Sequence, residues 1–224
     1  IIIWGVRLSA YIFIRHKAED WRYEVLRKQW EAKGSLVYYI VIYFYVFFGQ
    51  GVACISTQSS ALFVNLYSLN LPGDNGIWWT DLLGLVIWLI GFYIEVDSDQ
   101  TLKNHLANPA PGAGKFCRAR LWKYSRHPNY FGEIVMWWGI YVIACGISWG
   151  WITIWSPIAM TFLIRFVTGV PLGNEVKYVD HPEWQQVCRE TNVFFPWFSG
   201  MKNEQKVAAT EEKNEDVIDE KAPV

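Results

Sequence analysis

Long apolar stretches occupy most of this 224-residue chain and restrict what it can fold into. A helix needs about 20 apolar residues to cross a bilayer. Because hydrocarbon forces every backbone polar group to find an internal partner, such stretches are helices. The sequence therefore predicts an all-α, polytopic membrane bundle of about five visible transmembrane helices. The apolar segments that we assign to it are 1–14, 36–55, 77–96, 130–148 and 149–170.

The positions of Lys and Arg predict how these helices are oriented. Six lie in 15–33, six in 97–128 and six in 171–224, whereas the connections 56–76 and 147–151 contain none. Cytoplasmic loops of membrane proteins are enriched in these residues. The three basic segments are therefore predicted to share one face, cytosolic or its equivalent, where most candidate functional residues would converge. The net charge of −1 adds nothing about partners.

Composition also predicts the domain organisation and the state of the cysteines. No long linker divides residues 1–200, which are predicted to form one membrane domain. Residues 201–224 are charged and poor in apolar side chains, so we expect a disordered tail. The four Cys form no CxxC pair, and no His lies at metal-binding spacing from them. We therefore predict free thiols, and neither a disulfide framework nor a zinc site.

The densest polar group lies directly before the fourth long apolar stretch, in YSRHPNYFGE at 124–133. Proline suits the first turn of a helix, so a helix is predicted to begin near His127 or Pro128. Gly132 would let a ligand or a neighbouring helix come close. Residues three and four apart share a helix face. The polar side chains placed together in this way are Asn129, Tyr130 and Glu133.

The start of this helix is a candidate anion site. Unpaired amides and the helix dipole favour negative charge there, and Arg126 stands beside them. Arg118, Arg120 and Lys123 are near in sequence, so a phosphate or pyrophosphate would suit this position. Ordinary anchoring at the membrane interface by Arg, His, Tyr and Trp is the alternative interpretation.

A carboxylate cluster is predicted at the end of the preceding span. Glu95, Asp97 and Asp99 would lie at a helix C-terminus, followed by a polar loop over 97–127. The helix dipole disfavours negative charge at that end. We therefore expect cations from the 118–126 segment, or hydroxyl and amide donors of a ligand, to meet these carboxylates. A solvated cluster without a ligand is the alternative.

The segment LWKYSRHPNYFGE at 121–133 resembles the signature of the steroid 5-alpha-reductase family, in its broad membrane-reductase sense. That family includes sterol C14 and C7 reductases. Other segments resemble the family in the same order, and the resemblance covers roughly residues 4–198. These segments are WGVRL at 4–8, EDWRY at 19–23, EVDSDQ at 95–100, GVP at 169–171, Glu175, and the block from Thr191 to Pro196.

The resemblance implies an integral membrane oxidoreductase that transfers hydride from NADPH to a carbon–carbon double bond of a steroid or other lipid. In such enzymes the cofactor carries the difficult chemistry and the protein orients it. A proton donor must also reach the substrate, and Tyr23 and Tyr130 are the candidate catalytic donors. The cofactor-binding residues that the resemblance implies are Asp99, Lys103, Arg126, His127, Asn129, Tyr130, Glu133 and Glu175.

Two other functions remain open at this point. A non-catalytic structural subunit of a larger membrane complex could keep the same fold, since the catalytic Glu/Tyr pair of the steroid-specific members has no match here. An S-adenosylmethionine-dependent lipid or isoprenylcysteine-type methyltransferase would share the Arg-His-Pro-x-Tyr turn. The resemblance implies the endoplasmic reticulum, and a mitochondrial membrane is the alternative.

Overall fold

A computed structural model describes residues 1–15, 24, 27–28, 30–67, 76–172 and 174–195. Within these ranges every regular element is a helix, apart from an isolated bridge between Ser125 and Asn192, so the all-α class is confirmed. The α-helices are α1 (Ile2–Arg15), α2 (Ser35–Val41), α3 (Gly49–Tyr67), α4 (Trp79–Ala107), α5 (Pro128–Ala144), α6 (Trp155–Phe162), α7 (Asn174–Lys177) and α8 (Pro182–Glu190).

Shorter helical segments complete the fold. A π-helical segment, Ile42–Phe48, joins α2 to α3, and a second one, Leu163–Val167, follows α6. Single 3₁₀ segments span Arg120–Lys123, Gly150–Ile154 and Val170–Leu172.

Among the residues that the structure describes, three continuous helical stretches are long and apolar enough to cross a membrane. They are Ser35–Tyr67, Trp79–Ala107 and Gly150–Val167, and Ile2–Ile14 is a shorter apolar helix. This length and composition identify a helical integral membrane protein. The count of five spans stays a prediction, as do the domain limits 1–200 and 201–224. The 201–224 segment lies outside the described residues.

The predicted polar loop after Val96 is wrong in its first part, because α4 continues to Ala107. The first proline after the apolar stretch is Pro109, so nothing stops the helix at Asp97. Gln100 donates a hydrogen bond to Asn104 across one turn, at 2.7 Å. Glu95, Asp97 and Asp99 are therefore interior residues of a helix, and the unfavourable dipole of a C-terminus does not act on them.

The described chain divides into two compact units, of which the first comprises 1–85 and 137–162. Here α3 packs against α6 and the 3₁₀ segment that precedes it. Ser60 donates a hydrogen bond to Thr153 Oγ1 at 3.0 Å, and Ser156 donates to the carbonyl of Thr57 at 2.5 Å. Hydrogen bonds of this kind hold apolar helices together in a membrane.

The second unit comprises the described residues within 86–136 and 163–224. In it α4 and α5 approach closely at two glycines: a Cβ on Gly132 would lie 2.6 Å from the backbone of Glu95, and one on Gly91 would lie 2.6 Å from the carbonyl of Gly132. Close helix approach in membranes commonly uses such small residues. Gly132 therefore admits a neighbouring helix, one of the two options that the sequence left open.

Candidate functional site

The turn before α5 is held by the chain that follows α8. The amide of Arg126 donates to the carbonyl of Asn192 at 2.8 Å, and the amide of His127 donates to that of Val193 at 3.2 Å. The predicted helix start at Pro128 is confirmed. These two amides are engaged by protein carbonyls, so an anion at this turn would depend on side chains and on the first-turn amides of α5.

Arg126 and Glu175 form a long ion pair in this unit. Arg126 Nε lies 3.4 Å from Glu175 Oε1, and Arg126 Nη1 lies 3.5 Å from Glu175 Oε2. The Arg126 side chain is 12% exposed and that of Glu175 is 23% exposed. Charge-assisted hydrogen bonds between such groups are normally about 2.7–2.9 Å long. The two groups are therefore mostly buried without the close contact that would compensate them fully.

His127 lies beside the same carboxylate. Its imidazole is buried, stacks on the ring of Tyr130 at a centroid distance of 5.3 Å, and places Nε2 3.6 Å from Glu175 Oε1. Burial lowers the pKa of His127 and outweighs the opposing effect of Glu175. The imidazole is therefore neutral at pH 7, and its contact with Glu175 is not an ion pair there.

The carboxyl group of Glu175 stays ionised. Burial raises the pKa of Glu175, whereas the neighbouring His127 and the positive charge of Arg126 lower it, and the net pKa lies below its usual value. With His127 neutral, Arg126 is the charged partner of this carboxylate.

Four buried polar atoms around this turn have no hydrogen-bond partner within the described part of the chain. They belong to one short stretch and to the glutamate that faces it, and we call these four residues the polar patch. The atoms are Arg126 Nε, His127 Nε2, Asn129 Oδ1 and Glu175 Oε1. An unsatisfied buried polar group costs about 1–3 kcal/mol. Three of these atoms face one another without closing a hydrogen bond, because Glu175 Oε1 lies 3.4 Å from Arg126 Nε and 3.6 Å from His127 Nε2.

The buried carboxylate of Asp99 connects α4 to the patch. Asn129 Nδ2 donates to Asp99 Oδ1 at 3.4 Å, which turns the amide oxygen of Asn129 away from Asp99. Asp99 is 4% exposed and Glu95 is 3% exposed. Asp99 is therefore the α4 carboxylate that contacts the polar patch, through Asn129.

Two of the other predicted cations, Arg118 and Arg120, have carboxylate partners within the protein. Arg120 pairs with Asp97 at 2.7 Å, which confirms that a cation from 118–126 meets the α4 cluster. Arg118 instead pairs with Glu190 of α8, at 2.5 Å. Arg126 is thus the predicted cation that lies in the polar patch.

The other residues predicted to bind the cofactor or to donate a proton are not among the four residues of the polar patch. Tyr130 and Glu133 are half-buried on the first turns of α5. Lys103 is exposed on α4 and makes no hydrogen bond or ion pair with any described residue, so it is not brought to the patch. Tyr23 lies outside the described residues.

Sequence reasoning missed Cys188, whose Sγ lies 3.8 Å from Glu175 Oε2. It also missed the carbonyls of Asn192 and Val193, which fix the Arg126–His127 turn. Backbone acceptors carry no residue-type signal, so only the family-like block around Thr191 pointed to this segment. All four cysteines are free.

The fold and the patch define a helical integral membrane protein that carries a buried, incompletely satisfied polar cluster. Comparison with known families matches residues 1–191 to the family described as "Protein of unknown function (DUF1295)". The chain belongs to this family, and curated steroid 5-alpha-reductases are among its relatives, which confirms the resemblance seen at 121–133.

Three relatives illustrate that similarity. The chain is 34% identical over 108 residues to 3-oxo-5-alpha-steroid 4-dehydrogenase 1 of Bos taurus, covering 47% of this chain and 40% of that protein. It is 30% identical over 106 residues to steroid 5-alpha-reductase DET2 of Gossypium hirsutum, covering 47% and 39%. The human 3-oxo-5-alpha-steroid 4-dehydrogenase 1 is 36% identical over 110 residues, covering 48% and 37%. The matched part therefore spans well under half the length of these relatives. No solved structure matches the chain.

Proposed function

We propose that this protein is a membrane oxidoreductase that binds NADPH and reduces a carbon–carbon double bond of a steroid or other lipid. Two findings support the proposal: the similarity to curated steroid 5-alpha-reductases, and a polar patch at the start of α5. Neither of the alternative functions has a specific observation in its favour.

The observation that carries the proposal is the set of four unsatisfied atoms in the patch. Arg126 Nε donates, and Glu175 Oε1 and Asn129 Oδ1 accept. His127 Nε2 donates or accepts according to its tautomer. A nicotinamide dinucleotide carries phosphates that accept hydrogen bonds, and ribose hydroxyls and a carboxamide that donate them. Its functional groups therefore fit this mixture of donors and acceptors.

The charge of each side chain decides which group of the cofactor it would bind. Arg126 would hold phosphate, since a guanidinium suits its oxygens, and His127 would assist through Nε2. Glu175 would repel a phosphate, so it would accept from a hydroxyl or an amide, as would Asn129. Asp99 would hold the Asn129 amide in place through the 3.4 Å contact. When bound, the cofactor supplies hydride.

Other roles remain part of the proposal without a direct contact in the patch. Tyr130, which stacks on His127, and Tyr23 are the proposed proton donors. Lys103 and Glu133 are proposed to reach the cofactor in the bound state. We further propose that the patch faces the cytosol and that the protein resides in the endoplasmic reticulum, with the lipid substrate entering from the bilayer.

Thermal stability in detergent tests this function directly. A ligand that binds only the folded state raises the Tm in a concentration-dependent way. We would measure the Tm by tryptophan fluorescence with NADPH, NADH or S-adenosylmethionine, in the wild type and in Asn129→Ala. Asn104→Ala is the matched control, because Asn104 accepts a hydrogen bond on the exposed face of α4.

We expect NADPH to raise the Tm of the wild type and of Asn104→Ala, and Asn129→Ala to lose most of that increase. Stabilisation by S-adenosylmethionine instead would point to a methyltransferase and overturn the proposal. A wild-type protein that responds to none of the three ligands would favour the structural-subunit function. An unchanged response in Asn129→Ala would show that the patch is not the cofactor site.

A further inference from the structure

The thiol of Cys188 contacts one of the two carboxylate oxygens of Glu175, Oε2. Cys188 Sγ lies 3.8 Å from Glu175 Oε2, the same oxygen that Arg126 Nη1 approaches at 3.5 Å. The other oxygen, Oε1, lies 3.4 Å from Arg126 Nε and 3.6 Å from His127 Nε2, and neither contact closes to a hydrogen bond. The two oxygens of one carboxylate are thus in different environments.

The position of this thiol is fixed by packing. Cys188 belongs to α8, which is anchored by the buried residues Trp184 and Val187 packed against Phe116. Cys188 itself packs against this cluster and is half-buried. Its side chain therefore has little freedom to leave the carboxylate.

The charge state of the thiol suits a donor. Burial raises the pKa of Cys188, Arg126 lowers it, Glu175 raises it, and the net pKa lies above its usual value. The group is therefore a neutral thiol at pH 7, with an S–H to donate, while Glu175 is an ionised acceptor.

We propose that Cys188 is a positioning residue of the polar patch: its S–H donates to Glu175 Oε2, which holds Oε1 beside Arg126 and His127, where a hydroxyl or amide N–H of the ligand would reach it. The nucleophilic power of the thiol plays no part in this role. The inference rests on the proposed function, because the ligand in question is NADPH.

The contact between thiol and carboxylate can be tested without any cofactor. The full chain in detergent would be alkylated with N-ethylmaleimide at several pH values, and each cysteine quantified by peptide mass spectrometry. Glu175→Gln removes the negative charge beside Cys188 and leaves Arg126 in place. The thiol pKa then falls, so alkylation of Cys188 at about pH 7.5 should become about fivefold faster. Cys117, a buried thiol, serves as the internal reference.

The positioning role is tested by ligand affinity in two variants of the same residue. Losing one weak hydrogen bond to a charged acceptor should weaken NADPH binding about fivefold in Cys188→Ala. Cys188→Ser restores a donor and should bind NADPH within about twofold of the wild type. Cys117→Ala should leave the affinity unchanged. Rescue by serine separates a hydrogen-bonding role from simple packing.

The outcomes distinguish this inference from the proposed function. An alkylation profile of Cys188 that is identical in the wild type and in Glu175→Gln rejects the contact. If the wild type responds to NADPH and Cys188→Ala binds equally well, the positioning role alone is overturned. A wild type that does not bind NADPH overturns the function, and the positioning role with it.

Discussion

Two groups of buried polar side chains, one in each unit, differ in how completely they are hydrogen-bonded. In the first unit, the hydroxyls of Ser60, Thr153, Ser156 and Thr57 each donate a hydrogen bond to a nearby hydroxyl or carbonyl oxygen. In the second, the polar patch leaves an atom unsatisfied on each of its four residues. Both sets are buried, so burial alone does not separate structural polar groups from functional ones.

The difference lies in what completes each set of hydrogen bonds. A fully satisfied group stabilises the fold and needs nothing from outside, whereas a partly satisfied group is costly until a ligand supplies the missing partner. The first arrangement is explained by helix packing alone, and the second supports the proposed binding site.

The largest effect is expected from removing the buried cation of the patch. Arg126→Gln leaves Glu175 ionised without its charged partner, which should lower the free energy of unfolding by about 3 kcal/mol. Arg118→Gln is the control, because its pair with Glu190 is more exposed and should contribute under about 1 kcal/mol. Unfolding in mixed SDS micelles measures both.

The double variant Arg126→Gln/Glu175→Gln sharpens this result. It removes both charges, so much of the lost stability should return, but the response to NADPH should not. Equal stability losses in Arg126→Gln and Arg118→Gln would show that the two ion pairs are equivalent and that the patch is not special.

A somewhat smaller loss of stability is expected from disturbing the contact between α4 and α5 at Gly132. Gly132→Ala places a Cβ 2.6 Å from the backbone of Glu95, which forces α4 and α5 apart. Overpacking of this kind costs about 1–3 kcal/mol, and the Tm should fall. Gly51→Ala is the control, since its Cβ would meet nothing within 4 Å. A Tm for Gly132→Ala that equals that of Gly51→Ala would contradict the close contact.

Acidification should destabilise the protein through His127. Because burial lowers the folded-state pKa below the 6.5 of the free side chain, the unfolded chain takes up a proton first as the pH falls. Stability is therefore greatest above about pH 6.5 and declines from there toward the folded-state pKa, by at most about 1.4 kcal/mol per pH unit. The loss from Glu175 begins only near pH 4.5, its usual pKa.

The measurement is the Tm between about pH 7.5 and pH 5.5 without ligand, a range that brackets the usual pKa of His. We expect the decline in the wild type to be clearly reduced in His127→Gln. Parallel curves for the two proteins would mean that His127 titrates as it does in the unfolded chain.

The smallest effect is expected in the satisfied contact of the first unit. Ser60→Ala removes one interhelical hydrogen bond, which should cost about 0.6 kcal/mol. The NADPH response should stay at the wild-type value, because no atom of the patch is touched. A lost response with the fold retained would break the proposed division between packing and binding groups.

The sequence alone predicted the helices and the start of α5, because in both cases the residue type determines the local geometry. Apolar runs predict helices because lipid permits little else, and Pro128 marks the start of α5. The convergence of the basic segments 97–128 and 171–224 was predicted from the distribution of Lys and Arg, and the contacts Arg126–Glu175 and Arg118–Glu190 join them.

The end of α4, the choice of ion-pair partners and the position of Cys188 could not be predicted, because they depend on contacts that no local sequence pattern encodes. The C-terminus of α4 lies at Ala107 because helix propensity continues through polar residues, which hydropathy alone interprets as a loop. The sequence also could not predict which carboxylate pairs with each arginine. Arg118 is nearer in sequence to the carboxylates of α4 than to α8, yet its partner is Glu190 of α8. Cys188 gave no signal, because its role depends entirely on the distant Glu175.

The contact between Gly91 and Gly132 limits how the protein can respond to a ligand. The two helix backbones already touch there, so α4 and α5 cannot draw closer around an incoming molecule. If the patch binds a ligand as proposed, the adjustment would come from the segment that carries Glu175, whose carboxylate lies 3.4 Å from Arg126. The close glycine contact would then hold α4 and α5 fixed while that segment moves toward the ligand.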